Sequence, residues 1–121
     1  MDVFDAIEMR HSVRSFRADE VPREMLERIM RAAALSPSAM NQQPWRFYVT
    51  TGDTRRRVGE IMAQGTIHLE EFIDVIGPER HTEAVQWYSE LGNAPVVIVC
   101  TMPTVEDEFW QLNTHLSIGA A

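Results

Sequence analysis

"SPSAMNQQPW", Ser36 to Trp45, reads as a loop, yet it carries more hydrogen-bonding side chains than a connector needs. Two serines, one asparagine and two glutamines lie among two prolines and close on a tryptophan. One reading is mechanical. Pro37 stops a helix, Pro44 starts a strand, and the amides satisfy backbone groups left free at the helix end. The other is chemical: a rim that presents amides and hydroxyls to a planar, heteroatom-rich ligand. The stretch by itself leaves both open.

The flanks place this loop between a helix and a strand. Upstream, Val21-Pro22 opens a helix with proline at its permitted first turn. Met25, Leu26, Ile29, Met30 and Ala33 recur along it at helical spacing. Downstream, "RFYVTT", Arg46 to Thr51, has strand composition. Asp53 is then expected to cap a long helix through "TRRRVGEIMAQGTIHLEEFIDVIG", with a break at Gly65. Pro78 to Gly92 is weakly helical. "APVVIVCT", Ala94 to Thr101, is a nearly continuous β-branched run that suits a strand covered on both faces. A last amphipathic helix begins at Val105. At the other end of the chain, Val3, Phe4 and Ile7 predict a short helix over Asp2 to Met9, and the arginine-rich "RHSVRSFRADE" follows as loop.

No internal repeat, low-complexity tract or linker interrupts this order, and 121 residues match one domain. Ser117, Gly119, Ala120 and Ala121 form a small-residue stripe suited to close helix packing. Two strands also make a poor sheet alone. The expectation is an α+β domain of which this chain is the N-terminal part, residues 1–121, truncated at its C-terminus or completed by a partner.

A net charge of −7 disfavours nucleic acid and acidic membranes as general partners. All eleven basic residues are arginine. Any anion gripped by a side-chain cation is therefore gripped by guanidinium, which binds phosphate bidentately. The single cysteine, Cys100, forms no intrachain disulfide, which fits a reducing, cytoplasmic setting. Its apolar neighbours predict an inert core thiol. The acidic N-terminus lacks the apolar stretch of a secretory signal, and no apolar run approaches the ~20 residues of a membrane span. His68, His81, His115 and Cys100 lack metal-ligand spacing, so no metal is expected.

"RHSVR" is the second informative stretch. Arg10, Ser12 and Arg14 alternate just after the first helix, and alternate residues of extended backbone share one face. Two guanidiniums flanking a hydroxyl make an anion pocket for a phosphate monoester; the same residues equally make a solvated basic loop. Neither glycine-rich phosphate cradle, GxxxxGK[ST] or GxGxxG, occurs.

In order, "MDVFDAIEMRHSVRSF" and then "AALSPSAMNQQPWRFYVTTG" resemble the nitroreductase family of FMN-dependent oxidoreductases. Both the Arg-x-Ser-x-Arg segment and the Pro-Ser-x-x-Asn-x-Gln-Pro-Trp pattern of Pro37 to Trp45 are present. The resemblance runs from Met1 to about Val58 and resumes at "APVVIVCT". It implies an α+β fold with a mixed sheet flanked by helices, and two-electron transfer from NAD(P)H through FMN to nitroaromatic or quinone-type acceptors. It also implies a homodimer with flavin sites shared between subunits.

By the same resemblance, Arg10, Ser12 and Arg14 hold the FMN phosphate, with His11 between them. Pro37 and Ser38 lie against the flavin of the other subunit. Ala39 stands where many relatives carry serine or glycine. Asn41 belongs to the same flavin-site wall, and with Gln43 and Trp45 it is expected to brace the loop more than touch substrate. Gln64, or Thr66, falls where relatives contact the flavin pyrimidine edge. No side chain is assigned as catalytic acid or base. Trp87 and Tyr88 either cap a substrate pocket or simply pack. Relatives continue with further strands, a glycine-rich flavin-contacting segment and a late basic residue on the phosphate. The alternatives to this enzyme are a flavin-consuming or dehydrogenating relative, and a non-enzymatic flavin-binding or interaction module.

Overall fold

The computed structural model describes residues 2–66, 71, 75 and 77–121. These form two compact units: Met1–Ala18 with Arg56–Ala94, and Asp19–Arg55 with Pro95–Ala121.

The first unit begins with α1, Val3–Met9. Asp2 caps it. The Asp2 side chain accepts the Asp5 N–H, and the Asp5 carboxylate accepts the Asp2 N–H, both at 2.9 Å. Two of the helix's orphan donors are thereby satisfied. After an irregular arginine-rich segment, the unit resumes in α3, Gly52–Gly65, which starts in the second unit, and α4, Pro78–Glu90. Asp53 lies in the first turn of α3 rather than at its cap. That helix ends at Gly65, where the sequence suggested a break, and most of the expected continuation lies outside the described residues. Gly59 is what lets α3 meet α4: a methyl group there would collide with the backbone carbonyl of Ser89. Beyond α4, Leu91, Gly92 and Asn93 all take left-handed backbone, with φ of 52°, 59° and 62°. Leu91 and Ala94 are the buried apolar residues among those described.

The second unit holds α2, Arg23–Ala34, in which Pro22 is the residue before the helix rather than inside it. Arg23 Nε donates to Glu27 at 2.7 Å along the exposed face. Strand β1, Arg46–Thr50, pairs antiparallel with β2, Val97–Thr101, in a register running from Arg46 opposite Thr101 to Thr50 opposite Val97. The β2 strand starts three residues later than its composition suggested. Ala94 belongs to the preceding 3-10 turn, where its N–H donates to Leu91, and Pro95 has no N–H to offer a ladder. Residues 97–100 are half-buried, so both faces are partly covered.

Helix α5, Glu108–Ala120, starts later than Val105 because Asp107 caps it, accepting the Trp110 N–H at 3.0 Å. Among the described residues, each buried hydroxyl is matched to a carbonyl: Thr50 to Val97, Thr66 to Ala63, Thr114 to Trp110 and Ser117 to Asn113. Large apolar side chains remain exposed on α1 (Val3, Phe4, Ile7) and on α5 (Phe109, Leu112, Leu116). No helix among the described residues is long and apolar enough to cross a membrane. Helices together with an antiparallel strand pair place the chain in the α+β class.

Candidate functional site

The arginine segment of the first unit leaves α1 in extended backbone, with φ −65° and ψ 126° at Arg10. Arg10, His11, Ser12 and Arg14 are all exposed. The Arg14 guanidinium folds back on its own strand, donating to the Ser12 carbonyl at 3.4 Å, and His11 Nδ1 lies 3.1 Å from the Met9 carbonyl. Among the described residues no carboxylate pairs with Arg10 or Arg14. An incoming anion would therefore displace no ion pair, only water and one long hydrogen bond. The donor set of two guanidiniums and a hydroxyl fits a phosphate monoester.

Three contacts from the far end of the unit fix where this segment lies. The Trp87 indole Nε1–H donates to the Arg14 carbonyl at 2.6 Å. The Phe16 N–H donates to the Gly92 carbonyl at 2.8 Å. Gly92 itself packs so closely on Arg14 that a methyl group would collide with the Arg14 carbonyl and stand 3.0 Å from Trp87 Nε1. Trp87 also stacks edge-on against Tyr88, with ring centroids 5.2 Å apart. Of the two readings left open for Trp87, the geometry gives it a packing and backbone-holding part.

In the second unit the Ser36–Trp45 loop is held by its own side chains. Ala39–Asn41 form a 3-10 turn in which the Asn41 N–H donates to the Ser38 carbonyl at 2.9 Å. Ser38 Oγ accepts the Gln43 N–H at 3.0 Å, and Gln43 Nε2 donates to Asn41 Oδ1 at 3.0 Å. Met40, Asn41 and Gln43 all have positive φ, of 51°, 56° and 48°, a region that non-glycine residues enter at a cost. The amide and hydroxyl bonds offset that cost. Ser36 Oγ donates to the Ala120 carbonyl at 3.1 Å, joining the start of the loop to the last turn of α5. Between them is a small concavity of about 220 Å³ lined by residues that include Pro37, Ser38, Ala39 and Leu116. A larger one, about 410 Å³, lies at the strand ends and takes Gln43, Pro44 and Trp45 from the loop.

The nitroreductase family model matches residues 7–121, nearly the whole chain. The chain belongs to the nitroreductase family. Nitroreductase NfnB of Mycolicibacterium smegmatis is 40% identical over 74 residues, covering 61% of this chain and 31% of that protein. Iodotyrosine deiodinase 1 of Sus scrofa is 30% identical over 107 residues, covering 81% of this chain and 35% of that protein. Among solved structures, the FMN and NADPH-dependent nitroreductase NfnB of sphigopyxis sp. strain HMH superposes with a TM-score of 0.70 at 20% identity, over 99% of this chain and 68% of that one. The fold is therefore the nitroreductase-like one. The chain spans about a third of the length of these curated relatives.

Within this family member, the expected site residues fall into sets. Arg10, His11, Ser12 and Arg14 lie together on one exposed segment of the first unit. Gln64, also in that unit, is exposed on the last turn of α3, whereas Thr66 is buried with its hydroxyl turned onto Ala63. Pro37, Ser38, Ala39 and Asn41 lie together on the loop of the second unit. Cys100 sits half-buried on β2, and burial pushes its thiol pKa up, away from the reactive thiolate. Among the described residues no cluster of three or more His, Cys, Asp or Glu forms; His68 lies outside them. The sequence bounds the weakly helical run at Gly92 but gives no sign of its packing on Arg14. The local signal, a glycine just after a helical run, was legible as a helix end, but its partner Arg14 was not.

Proposed function

We propose that this chain forms part of an FMN-dependent oxidoreductase that passes two electrons from NAD(P)H to a nitroaromatic or quinone-type acceptor. The observation that carries the reading is the exposed Arg10-Ser12-Arg14 segment, free of carboxylate partners among the described residues. Family membership and the nitroreductases among its relatives support it. In this reading Arg10 and Arg14 grip the cofactor phosphate in charge-assisted hydrogen bonds, and the Ser12 hydroxyl donates a third. Ser38, already accepting from Gln43, keeps its own O–H proton to donate toward a ligand. The stiffened turn from Ser38 to Gln43 offers a fixed edge against which a planar ring system can lie. FMN, when bound, supplies the two-electron chemistry, and protein groups position it and tune its potential.

A homodimer with flavin sites built from both subunits belongs to the same proposal. Its support is the exposed apolar residues of α1 and α5, which a second copy would cover. A reducing, cytoplasmic setting belongs to it too, supported by the lone cysteine. A second reading, dehalogenation, is favoured by the alignment with iodotyrosine deiodinase 1, which covers 81% of this chain. Assaying the reduced flavoprotein with a nitroaromatic, a quinone and a halotyrosine separates the two.

FMN titration tests the carrying observation. Arg10→Ala is expected to weaken FMN binding by about 1.5–3 kcal/mol, the scale of a charge-assisted hydrogen bond. Arg10→Lys should recover only part, because the planar fork is lost. Parent-like binding by both variants removes the phosphate pocket and the reading built on it.

A further inference from the structure

The arginine segment needs a fixed backbone if it is to hold a phosphate, since two long side chains on a moving strand meet an anion only at a large entropic cost. The segment does not supply that rigidity itself. From Arg10 to Phe16 every residue is exposed, and the side-chain bonds made within it are the 3.4 Å bond from Arg14 to Ser12 and the His11 contact with Met9. Among the described residues, the backbone–backbone bond that holds it to another element is Phe16 N–H to Gly92.

Trp87 adds the second tie, and its placement is specific. The indole donates at 2.6 Å to the carbonyl of Arg14, one of the residues whose guanidinium is to be aimed. Gly92 presses on that same carbonyl from a left-handed backbone conformation that only glycine adopts readily. One donor (the Trp87 indole), one acceptor (the Gly92 carbonyl) and one close contact thus fix residues 14–16 from outside the segment.

We propose that Trp87 is a positioning residue for phosphate recognition: its indole N–H, with Gly92, fixes the backbone from which Arg14 and Ser12 reach the cofactor phosphate. This rests on the FMN reading above, and it is distinct from a part in capping substrate. The ring itself touches no phosphate. Its effect travels through the Arg14 carbonyl, so it acts on affinity for the phosphate and not on affinity for the isoalloxazine.

The test compares FMN with riboflavin, which lacks the phosphate. Trp87→Phe keeps an aromatic ring and removes the donor. FMN affinity should fall about three- to tenfold, the ratio corresponding to one net hydrogen bond, while riboflavin affinity stays within about twofold. Amide exchange at Phe16 should quicken in the same variant, reporting a loosened segment. In the unaltered protein, the Trp87 indole N–H resonance should shift on addition of FMN or inorganic phosphate and stay in place with riboflavin, so the idea remains testable even if the variant folds poorly.

If Arg10→Ala abolishes the preference for FMN while Trp87→Phe leaves it intact and the indole resonance does not move, the positioning role is wrong and the flavin reading stands. A parent protein with no preference for FMN over riboflavin overturns both. Equal loss of FMN and riboflavin affinity in Trp87→Phe marks a general structural role and also overturns the proposal.

Discussion

The two stretches with the most polar character are held in place by opposite means. From Ser38 to Gln43 the loop ties itself down: Ser38 accepts from Gln43, and Gln43 donates to Asn41, all within a few residues, while one outside bond, Ser36 to Ala120, holds the start of the loop. The segment from Arg10 to Phe16 is tied down from outside, by Trp87 and Gly92, more than seventy residues further along the chain. A self-braced loop spends its polar side chains on its own shape. A segment braced from elsewhere leaves its arginines and serine facing solvent, and so leaves them for a ligand. The more a residue's polar groups are used internally, the less its composition says about binding; Asn41 and Gln43 illustrate this, and Arg10 is the contrast.

The largest expected effect comes from attacking the outside brace. Gly92→Ala forces a methyl group into the Arg14 carbonyl and places a non-glycine residue at φ 59°. The cost should be about 2–4 kcal/mol, combining overpacking with left-handed backbone strain. Gly52→Ala is the matched control. Its φ is 51°, but nothing stands within 4 Å of the added methyl, so strain alone should cost about 1–2 kcal/mol. Urea unfolding of both variants measures the difference. Equal destabilisation would mean that the close approach of Gly92 to Arg14 contributes nothing.

The same contrast explains what the sequence disclosed. The first helix, the helix ending before Ser36, the strand at Arg46 and the loop between them were legible, because each rests on signals within a few residues: helical apolar spacing, and Pro44 before a strand-like run; that Asp2 caps the first helix and does not begin it was not. The bracing by Asn41 and Gln43 was expected from the family resemblance, while the residues alone left bracing and ligand contact open. Boundaries were missed where one side chain outweighed the pattern. Asp107 moved the start of the last helix beyond Val105, and the turn at Ala94 with Pro95 delayed the second strand. The bond from Trp87 to Arg14 had no local signal. A tryptophan inside a weakly helical run looks the same whether it packs or donates, and its partner is a backbone carbonyl, which every residue has.

An intermediate effect should follow from Asn41, which serves the loop twice. Its left-handed backbone, φ 56°, suits asparagine better than most residues, and its Oδ1 accepts from Gln43. Asn41→Ala loses both and should cost about 1.5 kcal/mol. Asn41→Gly restores the backbone freedom and loses only the acceptor, so it should cost about 0.5 kcal/mol, the low end for an exposed hydrogen bond. Thermal unfolding of the pair separates backbone from side chain. If alanine and glycine are equivalent here, the loop is not held in the left-handed region by residue 41.

A small effect should also come from Ser38, whose hydroxyl accepts a single backbone N–H at 3.0 Å. Ser38→Ala leaves the Gln43 N–H to water, and because the loop is exposed, water largely replaces the lost partner. Destabilisation should be about 0.5–1 kcal/mol. Where the effect appears matters more than its size. Amide exchange at Gln43 should quicken, and at Phe16 it should stay as in the parent, because the brace on the arginine segment comes from Trp87 and Gly92 and uses nothing from the loop. Trp87→Phe should give the mirror image, with Phe16 loosened and Gln43 unchanged. Loosening of both sites by either substitution would mean that the two stretches do not hold their shapes independently, and the distinction between a self-braced loop and an externally braced segment would then fail.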